Sequence, residues 1–207
     1  MRNNLSQLIS LSKIEEKLYR PADAYELSRV TRMEHVKTTV VETPQEGIAV
    51  VADRIAKLIN RREANGQKTV LSLASGRSMR DLFVELVRLH KEEGLSFKNV
   101  VVFGSYEFYP LSDTTSGSMA QIQSQLLEHV DILPENVHTF PGDLPKEDVF
   151  AFCEEYEKAI VEAGGIDVQV LGIGQCGNIA MNEPGTQPNS STRLVIMDGN
   201  SRVDVKS

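Results

Sequence analysis

The chain has 207 residues, of which 41% are hydrophobic and 25% charged; that length suits one domain with an extension, and the composition excludes disorder throughout. A net charge of −7 without a Lys/Arg stripe argues against nucleic-acid binding, although a few backbone N–H groups can still hold a phosphate in an acidic protein. Cys153 and Cys176 cannot build a disulfide framework or a metal site, the N-terminus lacks a signal-peptide core, and no apolar run approaches the roughly 20 residues that cross a bilayer. The expectation is a cytoplasmic protein with no membrane partner.

Residues 1–36 lack a sustained period and are broken by Arg20-Pro21; they read as an N-terminal arm with a helix around Ala22–Arg32. Residues 37–207 read as an α/β domain. Thr38–Val41 is β-branched and predicts a short strand. Thr43-Pro44-Gln45-Glu46 has the form of a capping box with proline at the first helical position. Ile48, Val51, Ala52, Ile55, Leu58 and Ile59 follow at helical spacing, and Asn65-Gly66 ends the helix. Thr69–Leu73 reads as a buried strand, Ala74–Ser78 as a tight turn, and Leu82, Phe83, Leu86 and Leu89 as the next helix. Val100–Phe103 is a second buried strand. Ile122, Leu126 and Leu127 mark a helix, and Asn136–Phe140 a short extended piece. Val149, Phe150, Cys153, Tyr156 and Ile160 share one helical face; Ile166–Ile173 reads as a third core strand and Thr192–Met197 as a fourth.

Apolar strands alternating with amphipathic helices predict an α/β fold: a mostly parallel sheet with helices on both faces, a Rossmann-like three-layer sandwich. Ligands in such sheets sit beyond the carboxyl ends of the strands. Three segments lie there. Ser75-Gly76-Arg77-Ser78 opens a helix and can cradle a phosphate, with hydroxyls, free N–H groups and the helix dipole; equally, Ser78 can be a simple N-cap with Asp81 three residues on. Gly172-Ile173-Gly174-Gln175-Cys176-Gly177 is a literal G-x-G-x-x-G, with Asp198 about 20 residues further on as a dinucleotide site wants. Pro184, Gly185 and Pro188 deny it the following helix, so these glycines read instead as a loop turning closely over a ligand. Gly104 to Leu111 sets Glu107 among aromatics, either as an acid or base raised by burial or as a rim carboxylate paired with an arginine.

These segments carry a resemblance. Leu73 to Leu89, the run Leu89-His90-Lys91-Glu92-Glu93-Gly94-Leu95-Ser96-Phe97-Lys98-Asn99-Val100-Val101, His129-Val130-Asp131-Ile132, Gly164-Gly165-Ile166-Asp167, and Gly172 through Asn182-Glu183-Pro184-Gly185 resemble the glucosamine-6-phosphate deaminase/isomerase family. The likeness runs in unbroken order from Thr38 to Arg202. The Asn-Glu-Pro-Gly end of the loop distinguishes it from the sister 6-phosphogluconolactonases.

The resemblance implies a phosphorylated aminosugar as ligand, an aldose–ketose isomerisation with release of ammonia, and no metal or organic cofactor. It places the phosphate turn on Ser75, Gly76, Arg77 and Ser78, with a bulky Arg77 where the family has a small residue. The proton-shuttling aspartate position holds Tyr106, the loop aspartate position Cys176, and the ring-opening histidine position Asn178. Glu183 alone stands as in the family, beside Glu107 as a second candidate acid–base group, with Gly172, Gly174 and Gly177 shaping the ligand loop. Asparagine does not titrate and tyrosine is a weak base near neutrality, so the usual route is expected to be impaired. The alternative is a non-catalytic sugar-phosphate-binding or interaction module. The family continues beyond Arg202, and the Tyr106-Glu107-Phe108-Tyr109-Pro110-Leu111 run resembles a branch fused to a sugar de-N-acetylase-like domain. A C-terminally truncated domain with a fused C-terminal partner, or a homo-oligomer, is therefore expected. A plainer reading keeps the glycines and prolines of the loop only for the turns the fold needs.

Overall fold

In the computed structural model, residues 38–174 and 176–199 are described, together with Tyr25 and Ser201. The helix expected around Ala22–Arg32 lies outside them apart from Tyr25. The chain divides into two compact units, Met1–Val40 and Val41–Ser207, and the second carries every regular element below.

Helix α1 spans Pro44–Ala64, with Pro44 at its first position. Thr43 Oγ1 accepts from the Glu46 N–H at 3.2 Å. The Glu46 carboxylate returns to Glu42 N at 3.0 Å, closing the box one residue early. The helix buries Ala52, Ile55 and Ile59. Strand β1, Thr69–Leu73, is buried at all five positions, as is β2, Val100–Gly104. Between them α2, Arg77–Glu93, buries Met79, Leu82, Phe83, Leu86 and Leu89. It stops at Gly94, whose φ of +75° is left-handed backbone that glycine adopts without a Cβ clash. Helix α3 is Ser118–Gln125, β3 Val137–His138, α4 Val149–Glu162 and β4 Val168–Val170.

The sheet has four strands in the order β3-β2-β1-β4, every pair parallel. Alternation along the strands sends Leu71, Leu73, Val100 and Val102 into one apolar cluster with α1, α2 and α3. Val70, Val101 and Phe103 enter a second cluster with Tyr156 of α4. Helices therefore cover both faces, as the apolar strands predict. Tyr156 donates to the Gly104 carbonyl at 2.9 Å and fixes the end of β2. Burial pushes its phenol well above the ordinary tyrosine value.

Four local expectations need correction. Thr38–Val41 forms no strand among the described residues, and Val40 is exposed. The core strand expected over Ile166–Ile173 pairs only from Val168 to Val170, because its sole described neighbour, β1, ends at Leu73; Ile173 is 78% exposed. Thr192–Met197 makes no ladder. Glu157 instead accepts from both Thr192 N and Thr192 Oγ1, at 2.6 and 2.7 Å. Phe150 points away from the buried face of α4 and is 74% exposed.

Candidate functional site at the strand ends

The carboxyl ends of β1, β2 and β4 bring the sequence-predicted residues to one end of the sheet. Helix α2 begins at Arg77 with Gly76 as its N-cap, and Gly76 has no side chain to bond the free N–H groups. Ser78 is therefore not the cap; it sits in the first turn, exposed, beside exposed Arg77. Gly76 has a φ of +126°, backbone that a Cβ would strain. The result is a helix start whose partial positive charge faces a turn carrying two hydroxyls.

The neighbouring loops close on this turn. Tyr106, just past β2, places its hydroxyl 2.9 Å from Ser75 Oγ and donates to the Ser75 carbonyl at 3.2 Å. Ser72 and Ser105 hydroxyls, 3.0 Å apart, tie the same two strand ends. From β4, Gly172 passes close enough that a Cβ there would lie 3.9 Å from Ser78 Oγ. The sequence reading did not single out Ser72 and Ser105; two serines at the ends of apolar strands were the available signal.

Glu107 has a different position from the one its spacing suggested. Its carboxylate accepts from Phe108 N at 2.8 Å, Ser118 N at 2.7 Å and Met119 N at 2.9 Å. It caps the N-terminus of α3 from within the β2–α3 connection, and among the described residues it pairs with no arginine. Gly117 makes the approach possible, since a Cβ at that position would sit 2.7 Å from Glu107 Oε2. Both oxygens of the carboxylate are thus occupied by backbone N–H groups and turned toward the start of α3.

The glycine loop is a small hairpin rather than a helix start. Ile173 bridges Ile179 and Ile179 bridges Asn182, both antiparallel. Ala180 and Met181 turn it with φ of +48° and +63°, left-handed backbone that costs a residue bearing a Cβ. Gly177, at φ +79°, approaches Pro184. The missing helix removes the dinucleotide reading. Asn178 is 8% exposed, and its Oδ1 has no hydrogen-bond partner among the described residues. Its amide packs so tightly on Gly174 that a Cβ on Gly174 would lie 2.1 Å from that oxygen. Cys176 is half-buried and unpaired in a disulfide. Glu183 Oε1 accepts from Asp198 N at 3.2 Å. Among the described residues no cluster of His, Cys, Asp or Glu could hold a metal ion, and no helix is long and apolar enough to cross a membrane.

Comparison with known proteins identifies the family to which this fold belongs. The family model of glucosamine-6-phosphate isomerases/6-phosphogluconolactonases matches residues 42–203. A glucosamine-6-phosphate deaminase-like protein of Bacteroides thetaiotaomicron is 44% identical over 203 residues, covering 98% of this chain and 31% of that protein. The glucosamine-6-phosphate deaminase of Porphyromonas gingivalis is 39% identical over 145 residues, covering 69% and 54%. The chain thus spans 31% and 54% of the lengths of these two relatives. The solved structure of a monomeric glucosamine-6-phosphate deaminase superposes with a TM-score of 0.75 at 30% identity, covering 81% of this chain and 68% of that one. The 6-phosphogluconolactonase of Thermotoga maritima follows at a TM-score of 0.53 and 25% identity, covering 64% and 58%. The parallel sheet, the turn at the start of α2 and these matches together place the chain in the glucosamine-6-phosphate isomerase/6-phosphogluconolactonase family.

Proposed function

We propose that this chain binds a phosphorylated aminosugar at the ends of β1, β2 and β4 without running the acid–base chemistry of a deaminase. The observation that carries the reading is the convergence of the Ser75–Ser78 turn with Tyr106 and Gly172 at the open start of a 17-residue helix. Backbone N–H groups and hydroxyls in that arrangement suit a phosphate, and exposed Arg77 adds a positive charge beside it. The two free thiols fit a reducing, cytoplasmic compartment.

The groups that would move protons are substituted or engaged. Asn178 cannot titrate. Glu107 caps α3 through three N–H groups, and one Glu183 oxygen takes the Asp198 N–H. Loss of one general acid or base typically costs about 10²–10⁴ in rate. The competing reading, a deaminase of altered mechanism, rests on Glu183, which among the described residues commits only one oxygen, to the Asp198 N–H.

Calorimetry and an ammonia assay with glucosamine 6-phosphate separate the two readings. The expected result is measurable binding, abolished in the Ser75→Ala/Ser78→Ala double variant, without ammonia release at high protein concentration. Ammonia release that disappears in Glu183→Gln would overturn the proposal in favour of the enzyme. No heat of binding would remove the ligand site altogether.

A further inference from the structure

Tyr106 meets Ser75 through two contacts that compete for few protons. Its hydroxyl lies 2.9 Å from Ser75 Oγ and donates to the Ser75 carbonyl at 3.2 Å. A phenol has one proton, and a carbonyl can only accept. Both bonds are fully made in one way: Tyr106 donates to the carbonyl, and Ser75 Oγ donates to Tyr106. The Ser75 proton then points at Tyr106, and the phosphate turn is offered only the lone pairs of Oγ.

A phosphate monoester near neutrality is close to a dianion with acceptor oxygens alone. Lone pairs facing lone pairs repel. We propose that Tyr106 is a specificity-determining latch on Ser75: while it holds the Ser75 proton the turn disfavours a phosphate dianion, and phosphate binding requires that proton to swing to the anion. Tyr106 keeps its bond to the carbonyl as this happens, so opening breaks one neutral hydrogen bond. The latch is held in place by packing. The Tyr106 ring lies against the main apolar cluster and meets Phe108 edge-on, with centroids 5.7 Å apart. The Ser72–Ser105 bond fixes the strand ends beneath it. This inference rests on reading the Ser75–Ser78 turn as the phosphate site.

Tyr106→Phe keeps the ring and removes only the hydroxyl, which frees the Ser75 proton. Calorimetry on the full chain at neutral pH, with glucosamine 6-phosphate and with unphosphorylated glucosamine, reads the effect. Tyr106→Phe is expected to bind the phosphorylated sugar about 2–10-fold more tightly, the range that one neutral hydrogen bond converts to. Adding Ser75→Ala in the Tyr106→Phe background should remove that gain, and any response to glucosamine should be unchanged. Equal affinity of wild type and Tyr106→Phe overturns the latch and leaves the phosphate site standing. Weaker binding by Tyr106→Phe overturns it differently, by showing the phenol to be a ligand contact. No binding by either protein overturns both the latch and the site beneath it.

Discussion

Replacing Glu107 tests whether this carboxylate serves chemistry or structure. Ser118 is fully buried and Met119 is 7% exposed, so their N–H groups cannot turn to water when the acceptor is removed. Each hydrogen bond to a charged group contributes about 1.5–3 kcal/mol, and helix caps measured by truncation about 0.5–2 kcal/mol. The Phe108 bond adds little, because it is made within one dipeptide. Glu107→Ala is therefore expected to cost about 2–4 kcal/mol, and Glu107→Gln, which keeps one acceptor oxygen and the side-chain shape, about half as much. At roughly 2–4 °C per kcal/mol for a chain of this size, the alanine variant should melt roughly 4–16 °C below the parent. Thermal unfolding followed by circular dichroism reads this directly, with urea titration as a check on cooperativity. An alanine variant melting within about 1 °C of the parent would refute the capping role and return Glu107 to the list of candidate acid–base groups.

Three further outcomes follow from particular contacts. Gly174→Ala drives a Cβ to 2.1 Å from Asn178 Oδ1, so it should destabilise by about 1–3 kcal/mol through overpacking; an unchanged melting temperature would show that Asn178 can leave its site freely. Burial raises the Asp131 carboxyl, but the Phe97 N–H, the Ser96 hydroxyl and His90 outweigh it and hold the group below its ordinary value. A depressed carboxylate contributes stability that is present above its unfolded value of about 3.9 and lost as pH falls through the folded one, so Asp131→Asn should flatten the loss of stability in acid urea titrations. Cys153 is 8% exposed, and burial, then Glu157, push its thiol up; with Cys176 half-buried, thiol titration of the native protein should show one fast and one slow cysteine, and two equally fast ones would contradict the packing of α4.

Much of the scaffold was legible because it is set locally. The Thr43-Pro44-x-Glu46 signature needs only one turn of helix to act, and α1 begins where it says. The apolar runs at Thr69–Leu73 and Val100–Phe103 are buried on both faces of the sheet and could be little else. Failures arose where a neighbour decides the outcome. Thr192–Met197 has the composition of a strand, but a strand exists only against a partner, and Thr192 is held by Glu157 of α4 instead. Phe150 fits the apolar period of α4, yet the cluster beneath is already filled by Phe103, Phe140 and Tyr156, whose rings stack or meet edge-on. The role of Glu107 is fixed by Ser118 and Met119, which only the folded loop brings to it; the sole local hint was Gly117-Ser118 at the start of an apolar helix without a capping side chain of its own.

The same distinction between local and assembled features separates binding from chemistry at the strand ends. A phosphate turn depends on backbone geometry: Gly76 in a conformation closed to other residues, the first N–H groups of α2, and two hydroxyls. Side chains nearby can change without dismantling it. Proton transfer instead depends on the identity and freedom of individual side chains. Here Tyr106 is bonded to Ser75, Glu107 to α3, Glu183 to Asp198, and Asn178 has nothing to ionise. Under the proposed binding role, side chains that could exchange protons are replaced or engaged, Glu183 through one oxygen only, while the backbone of the Ser75–Ser78 turn does not depend on them. Gly76 at φ +126° and the free N–H groups at the start of α2 are what the proposed binding role needs, and neither depends on which residue stands at position 178.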